Sequence, residues 1–467
     1  MYDAVIVGSG PNGLAAAVTL VQAGKRVMVI EGRDTIGGGT RTEEVTEPGV
    51  FSDVCSAVHP LGIGSPYLGS LPLADHGLHW VHPPIPFAHV LPDGESVLVH
   101  GSLEETAAGL GEDGPVWESI FGPFARDWEQ TARLATAHPM RAVRSPFAGL
   151  RLARYGLRSG RYLANRFSTE RGRAVIAGMA AHAVAPLDTA AAGGVALVLG
   201  AAAHAVGWPF ALGGSAAITT ALASYLDSLG GEIETGHWVA RMSDLPDARV
   251  VLFDTSAQAA QSIAGERIKG RTRRRYRNRP VGSGSFKVDI ALNGPIPWAD
   301  PRLVGAGTVH IGGDYDEIAL SEARTAGGEH AEHPFVLLAQ PLAADPTRAP
   351  EGISAVWAYC HVPTGSTLDM TDRITGQIER FAPGFRSRIR TISSMGPSAI
   401  EAKNPNYIGG DITGGPVSLM GVMRRPTLFH PYRAGKGLYL CSAVTPPGAG
   451  VHGMCGYHAA RAALREM

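Results

Sequence analysis

The chain has 467 residues, a formal net charge of -1 and a sequence pI near 7.0. That length can bury a sizeable core, and the charge balance excludes general nucleic-acid binding. Its four cysteines, Cys55, Cys360, Cys441 and Cys455, are widely spaced with no CxxC pair, which reads as reduced thiols and argues against a disulfide framework, a redox dithiol or a metal site.

An apolar run, Ala4-Val5-Ile6-Val7, predicts a first strand beginning at about Tyr2. This leaves no room for a signal peptide and suggests a cytoplasmic protein. The strand leads into Gly8-Ser9-Gly10-Pro11-Asn12-Gly13, a helix from about Leu14 to Ala23, and a strand from Arg26 to Ile30 that ends on Glu31. Strand, GxGxxG turn, helix, strand and acid in that order form the dinucleotide fingerprint. Gly8 permits the tight turn, Gly10 lets the backbone approach a pyrophosphate, and Gly13 lets the helix lie close on the sheet. The helix N-terminus faces the phosphates, and Glu31 can accept from a ribose. Gly32, Arg33 and then Gly37-Gly38-Gly39-Thr40-Arg41-Thr42 follow. This extension resembles the GGxxRT segment of glutathione-reductase-like flavoproteins and implies FAD as the nucleotide.

Beyond about Leu78 the texture changes. Phe87 to Val99 reads as a strand pair around the turn Pro92-Asp93-Gly94, followed by helical segments over Trp117 to Ala137 and Ala174 to Ala183. Arg141 to Arg173 holds nine arginines with interleaved aromatics and no acid before Glu170. Such a stretch suits peripheral contact with anionic lipid on an inner membrane face, with an arginine-rich solvated surface as the alternative. Thr189 to Leu226 has no charged residue. It is long enough to span a bilayer, yet the interruptions at Gly193-Gly194, Trp208-Pro209 and Gly213-Gly214 favour two buried helices.

Ser215 to Leu229 reads as a helix, and the strands Glu232 to Thr235 and Val250 to Phe253 return the chain to the parallel sheet, the second ending at Asp254. Arg271 to Arg279 reads as a basic loop. Short β-rich runs and helices such as Asp372 to Phe381 fill the stretch to Thr427. A strand Leu438 to Cys441, a glycine-proline loop and a helix His458 to Leu464 close the chain. The expected fold is α/β: a glutathione-reductase-like FAD-binding Rossmann domain built from residues 1–77, 210–283 and 428–467, intertwined with an α+β substrate domain from 78–209 and 284–427.

Further along the chain come Phe51-Ser52-Asp53-Val54-Cys55-Ser56-Ala57-Val58-His59-Pro60, Ala181-His182, Gly207-Trp208-Pro209, Phe286-Lys287-Val288-Asp289, Trp357-Ala358-Tyr359-Cys360-His361, Asn404-Pro405-Asn406-Tyr407, and Gly437 to Ala443 with Gly450-Val451-His452-Gly453. Together these residues resemble the phytoene desaturase (carotenoid desaturase) superfamily, especially its pyridine nucleotide-disulfide oxidoreductase domain-containing protein 2-like branch. The resemblance implies FAD contacts at Gly8, Gly10, Pro11, Asn12, Gly13, Glu31, Gly32, Arg33, Gly38, Gly39, Thr40, Arg41, Val239, Ala443, Gly450, Val451 and His452. It also implies a largely apolar small-molecule substrate. One departure is Val281-Gly282-Ser283-Gly284-Ser285, where the family usually has a Tyr-Gly-Pro-Gly-like turn.

A bound flavin would accept a hydride, leaving the protein to orient the substrate, exclude water and accept a proton. His59 and His182 are the candidate bases. Lys287, one of only five lysines against 36 arginines, is a further catalytic candidate, with a salt bridge to Asp289 as its alternative. No second GxGxxG opens a helix, so electrons are expected to enter from the substrate and leave to oxygen or a quinone rather than arrive from NAD(P)H. The expected reaction is desaturation, other oxidation, or redox-neutral isomerisation. A flavin amine oxidase and a non-catalytic flavin-binding regulatory or assembly protein are the rivals.

Overall fold

The computed structural model describes residues 1–138, 146–418, 421, 425–427 and 429–467. One six-stranded sheet runs in the order Arg433–Gly435, Leu438–Leu440, Ala248–Phe253, Tyr2–Val7, Val27–Ile30, Glu232–Glu234. Every neighbouring pair is parallel except the first. Parallel strands are covered on both faces, which explains the unbroken apolar runs at Ala4–Val7 and Val250–Phe253. Helices Pro11–Gln22, Ala216–Ser228 and Met454–Ala463 share a core with Ile6 and Leu252, while Ala257–Ala264 packs with Val5 and Phe253 on the opposite side. The helices Pro11–Gln22 and Met454–Ala463 cross so closely that a Cβ on Gly456 would lie 1.8 Å from the Asn12 carbonyl oxygen.

The second sheet has seven strands, in the order Ile389–Met395, Gly284–Asn293, Ile353–Val362, Val336–Ala339, Ala306–Ile311, Ile85–Val90, Ser96–Val99. Its only parallel pair is Ala306–Ile311 with Ile85–Val90. Side chains alternate between its faces. Phe286, Val288, Ile290 and Leu292 join Ile374, Ile378 and Phe381 of the helix Thr371–Phe381 in one core. The intervening residues face the other way. There Lys287 stands opposite Tyr359, and Asp289 opposite Trp357.

A helical layer, including Gly114–Arg126, Glu170–Ala181 and Ala192–Ala205, covers this second sheet through a core of Trp117, Phe121, Val175, Leu197, Trp208 and Phe87. Trp208 stacks on Phe87 with ring centroids 4.4 Å apart, and its indole N–H donates to the Leu199 carbonyl. The uncharged stretch forms the two helices Ala192–Ala205 and Ala216–Ser228. Among the described residues no helix is long and apolar enough to cross a membrane.

One sequence expectation needs correction. The Arg271 to Arg279 segment is mainly a helix, Gly270–Arg277, rather than a loop. Tyr276 is fully buried and anchors it, and arginine is a good helix former. In the arginine-rich stretch, Arg141 and Arg144 lie outside the described residues. Of the remaining arginines, Arg151, Arg161, Arg171 and Arg173 pair with Asp127, Asp188, Glu95 and Glu170, so the stretch carries less free positive charge than its composition implied.

Candidate functional site

The fingerprint glycines meet at the mouth of the parallel sheet. Gly8 has φ +101°, and a Cβ there would lie 2.8 Å from the Asp254 carbonyl oxygen. A Cβ on Gly13 would lie 2.2 Å from the Gly8 carbonyl oxygen, so both positions exclude a side chain. Gly10 caps the helix Pro11–Gln22, with Pro11 in the first turn where no N–H is needed. Asn12 is buried and its Oδ1 has no partner. The positive end of this helix carries the Asp254 carboxyl group, whose Oδ2 accepts from the Gly13 N–H at 2.9 Å.

At the end of the second strand, Glu31 is held in a fixed orientation. Its Oε2 accepts from the Ser9 N–H at 3.0 Å and from Ser9 Oγ at 2.6 Å, and its Oε1 accepts from the Arg33 N–H at 3.0 Å. Arg41 Nη2 approaches the same carboxylate at 3.5 Å. The backbone of Gly236 and His237 bonds back to Arg33 and Glu31, bringing the buried Val239 beside Ile30, and Trp238 lies against Gly32. In the glycine extension, Gly37 and Gly38 both have positive φ. A Cβ on Gly38 would lie 3.2 Å from the Gly10 Cα, so the two glycine turns touch. Thr40 Oγ1 closes the turn on the Gly37 carbonyl, and Arg41 donates to the carbonyls of Thr35 and Gly38.

A cavity of about 530 Å³ opens from this turn. Arg33, Gly38, Gly39 and Arg41 line it, as do Val54, Cys55, Lys287, Trp357, Tyr359, Met395, Ile400, Tyr407 and Ile412. Lys287 is buried, and its Nζ donates to Asp289 Oδ2 at 2.7 Å and to the Asp53 carbonyl at 2.6 Å. Asp53 in turn forms a 2.9 Å ion pair with Arg348, each side chain only 1% exposed. The Asp289 carboxyl is pushed upward by burial, against the pull of the Lys287 ammonium. Tyr407 places its hydroxyl over Gly39 and hydrogen-bonds the Cys55 thiol. Burial raises both groups, which keeps them protonated at neutral pH.

The two candidate histidine bases are elsewhere. Ser215 Oγ donates to the Ser56 carbonyl, so the His59 Nε2–H donates to Ser215 at 2.8 Å and its Nδ1 is left without a partner. His182 Nε2 is 2.9 Å from His310 Nε2 beneath the helical layer. Burial lowers His59 to about 4 and His182 to about 3, so both are neutral at physiological pH, and neither lines the cavity. The C-terminal residues are also apart from it. Ala443 O accepts from Arg425, Gly450 approaches Leu61, the Val451 carbonyl oxygen lies against Gly62, and buried His452 accepts from the Met454 N–H through Nδ1.

The cavity thus gathers Arg33, Gly38, Gly39, Arg41 and Lys287 from the sequence-derived set; Gly10 touches Gly38 and Glu31 approaches Arg41, but Gly8, Gly10, Pro11, Asn12, Gly13, Glu31 and Thr40 do not themselves line it. Sequence reasoning did not single out Trp357, Tyr359, Cys55 or Tyr407 as site residues. The first two had an available signal: they alternate along a strand whose partner carries Lys287 and Asp289.

Residues 6–91 match the family model described as NAD(P)-binding Rossmann-like domain. The chain is 27% identical to pyridine nucleotide-disulfide oxidoreductase domain-containing protein 2 of Mus musculus, covering 100% of this chain and 94% of that protein. It is 24% identical to the neurosporene-forming phytoene desaturase of Rhodobacter capsulatus, covering 98% and 92%. A putrescine oxidase structure, a triple mutant from a redesign of cofactor binding, superposes with a TM-score of 0.64 at 16% identity and covers 100% of this chain and 99% of that one.

Fold and site together define an oxidoreductase with a Rossmann-type dinucleotide domain joined to a mixed-sheet substrate domain. More particularly, the chain is similar over its full length to the domain-containing protein 2-like branch of the phytoene desaturase superfamily, at 27% identity, and to a phytoene desaturase at 24%.

The residues present fit an adenine dinucleotide. Gly8, Gly10 and Gly13 have no room for a side chain at the helix terminus, the fixed Glu31 carboxylate could accept from a ribose, and the second glycine turn lines the cavity.

Proposed function

We propose that this protein binds FAD and oxidises, by desaturation, or isomerises a largely apolar small molecule through hydride transfer. The observation that carries this reading is the single cavity in which Gly38, Gly39 and Arg41 of the dinucleotide cradle meet Val54, Trp357, Tyr359, Met395, Ile400 and Ile412. When bound, FAD supplies the hydride acceptor. Glu31 would hold the ribose, the glycine turns and helix terminus would receive the pyrophosphate, and Arg41 would stand at the passage to the cavity. The apolar and aromatic part of the wall would orient the substrate, while Arg33, Asp34, Glu43 and Lys403 give the rest of the lining a charged character. Lys287 keeps a buried ammonium at the cavity wall, fixed by Asp289 and the Asp53 carbonyl.

Oxygen or a quinone is the proposed electron acceptor. The proposed location is cytoplasmic, with peripheral membrane contact through Arg154, Arg158 and Arg166 beside the exposed Leu150 and Leu157. Vesicle co-sedimentation tests that contact.

The deciding experiment is anaerobic titration of the purified yellow protein with fractionated cell extract. Bleaching by an apolar fraction supports the proposal, and a protein that neither carries nor takes up FAD ends it. A second reading, amine oxidation, is favoured by Lys287 facing the aromatic pair Trp357 and Tyr359, with its ammonium 5.8 Å from the Trp357 ring centroid. Peroxide formation on adding amines would select that reading.

A further inference from the structure

Asp254 is a carboxylic acid where a dinucleotide fold receives phosphate. It follows the strand Ala248–Phe253, and its own N–H donates to the Val7 carbonyl at 2.8 Å, which pins it beside Gly8. Its Oδ2 accepts from the Gly13 N–H at 2.9 Å, and the Gly10 N–H also bonds the carboxyl. A Cβ on Gly10 would lie 2.6 Å from that same oxygen. The acid therefore uses the two donor N–H groups of the glycine turn and stands on the positive end of the Pro11–Gln22 helix, the features that attract an anionic diphosphate.

We propose that Asp254 is a built-in competitor for the cofactor's pyrophosphate, so that this chain takes up FAD when Asp254 is a neutral acid and resists it when Asp254 is a carboxylate. The inference rests on the FAD reading above. Three facts support it. A carboxylate at this place repels the two phosphate charges and holds the N–H groups they need. The titratable groups that face it are Glu31, Tyr407, Cys441 and Cys455, none of them a cation that could neutralise it. Burial pushes the Asp254 carboxyl up to about 7, which puts the switch within the physiological range.

The sign follows from linkage. If only the neutral acid admits the diphosphate, the Kd for FAD is constant well below pH 7 and rises about tenfold per pH unit above it.

The test measures binding to the apoprotein from pH 6 to pH 8.5, of FAD by quenching of flavin fluorescence and of the flavin-free probes by isothermal titration calorimetry. ADP-ribose, a diphosphate diester without a titrating phosphate, serves as a second probe, and adenosine as a phosphate-free control. Wild-type protein should bind FAD and ADP-ribose roughly 30-fold more weakly at the alkaline end, with adenosine unaffected. Asp254→Asn should bind FAD with little pH dependence and more tightly than wild type at pH 8.5. The comparison of ADP-ribose with adenosine needs no variant and stands if Asp254→Asn fails to fold. A flat wild-type profile overturns the proposal, as does weaker binding by a folded Asp254→Asn at every pH, which would make the acid a ligand. Absence of FAD and ADP-ribose binding at all pH values overturns the FAD reading itself, and this inference with it.

Discussion

Lys287 and Asp289 lie two residues apart on one face of the same strand, with Nζ donating to Oδ2 at 2.7 Å and both side chains less than 5% exposed. Lys287 lines the cavity and also ties the second sheet to the Asp53 backbone. A buried ion pair adds little net stability, but breaking it strands a charge. Lys287→Met should therefore destabilise the fold by about 3–5 kcal/mol, and Lys287→Met/Asp289→Asn by clearly less. Flavin reduction separates the two roles. If Lys287 only braces the fold, the double variant recovers the parental rate; if its ammonium acts on the reacting molecules, the rate stays low after stability returns. Urea unfolding and anaerobic stopped-flow on the three proteins decide between them.

The fingerprint makes a steric prediction. A methyl group on Gly13 meets a backbone oxygen at 2.2 Å, which no side-chain rotation relieves. Gly13→Ala should purify with little or no flavin. Gly109→Ala is the control, because a Cβ there meets nothing within 4 Å and the residue lies inside the helix Leu103–Leu110. It should retain flavin and gain up to about 1 kcal/mol of stability. Equal flavin content in the two variants would refute the placement of the cofactor at this turn.

The parallel sheet was largely legible in the sequence, whereas the second sheet was read only as a strand pair around Phe87 to Val99 and a series of short β-rich runs. Ala4–Val7 and Val250–Phe253 are continuous apolar runs because helices cover both sides of a parallel sheet, and the glycines between strand and helix fix its chain direction. The cradle was legible for the same reason: Gly8, Gly10, Gly13 and Glu31 work through local spacing. The substrate cavity was not. Lys287, Trp357, Tyr359 and Tyr407 meet through antiparallel register and a crossing between sheets, which no local pattern encodes. His59 and His182 illustrate the converse. Each sits in a motif that reads as chemistry, and each is a buried neutral ring bonded to Ser215 or His310. Asp254 was visible as the end of a strand, but its contact with Gly13 is a tertiary fact.

Those buried histidines predict acid sensitivity. His59 and His89 are lowered to about 4, His182 to about 3, and His310 well below the ordinary value, all chiefly by burial. An unfolded chain protonates them near 6.5, so below that pH the unfolded state binds more protons and stability falls. The loss should be absent above about pH 7 and should accumulate as pH falls from 6.5 through 4. Urea midpoints followed by circular dichroism at several pH values check this. His182→Phe, which removes one member of the His182–His310 pair, should flatten part of the slope, and a midpoint unchanged between pH 7 and pH 4.5 would show that the rings are hydrated rather than buried.

The last prediction concerns which dinucleotide the cradle serves. The matching family model is named for NAD(P), but the chain adds the Gly37–Arg41 turn, which touches Gly10 and leads into the cavity. A dinucleotide bound along that route would bring its far end toward the cavity that Lys287, Trp357 and Tyr359 line. The sequence contains one complete strand–GxGxxG–helix fingerprint, so FAD in it leaves no equivalent site for NADH or NADPH. Glu31→Ala should weaken FAD by the loss of ribose hydrogen bonds, roughly 1.5–3 kcal/mol if charge-assisted. In anaerobic stopped-flow, NADH and NADPH should bleach the flavin little, while the physiological substrate should bleach it within turnover, or turn over without net bleaching if the reaction is an isomerisation. Rapid stoichiometric bleaching by either nicotinamide would show that a second site exists and that electrons enter from NAD(P)H.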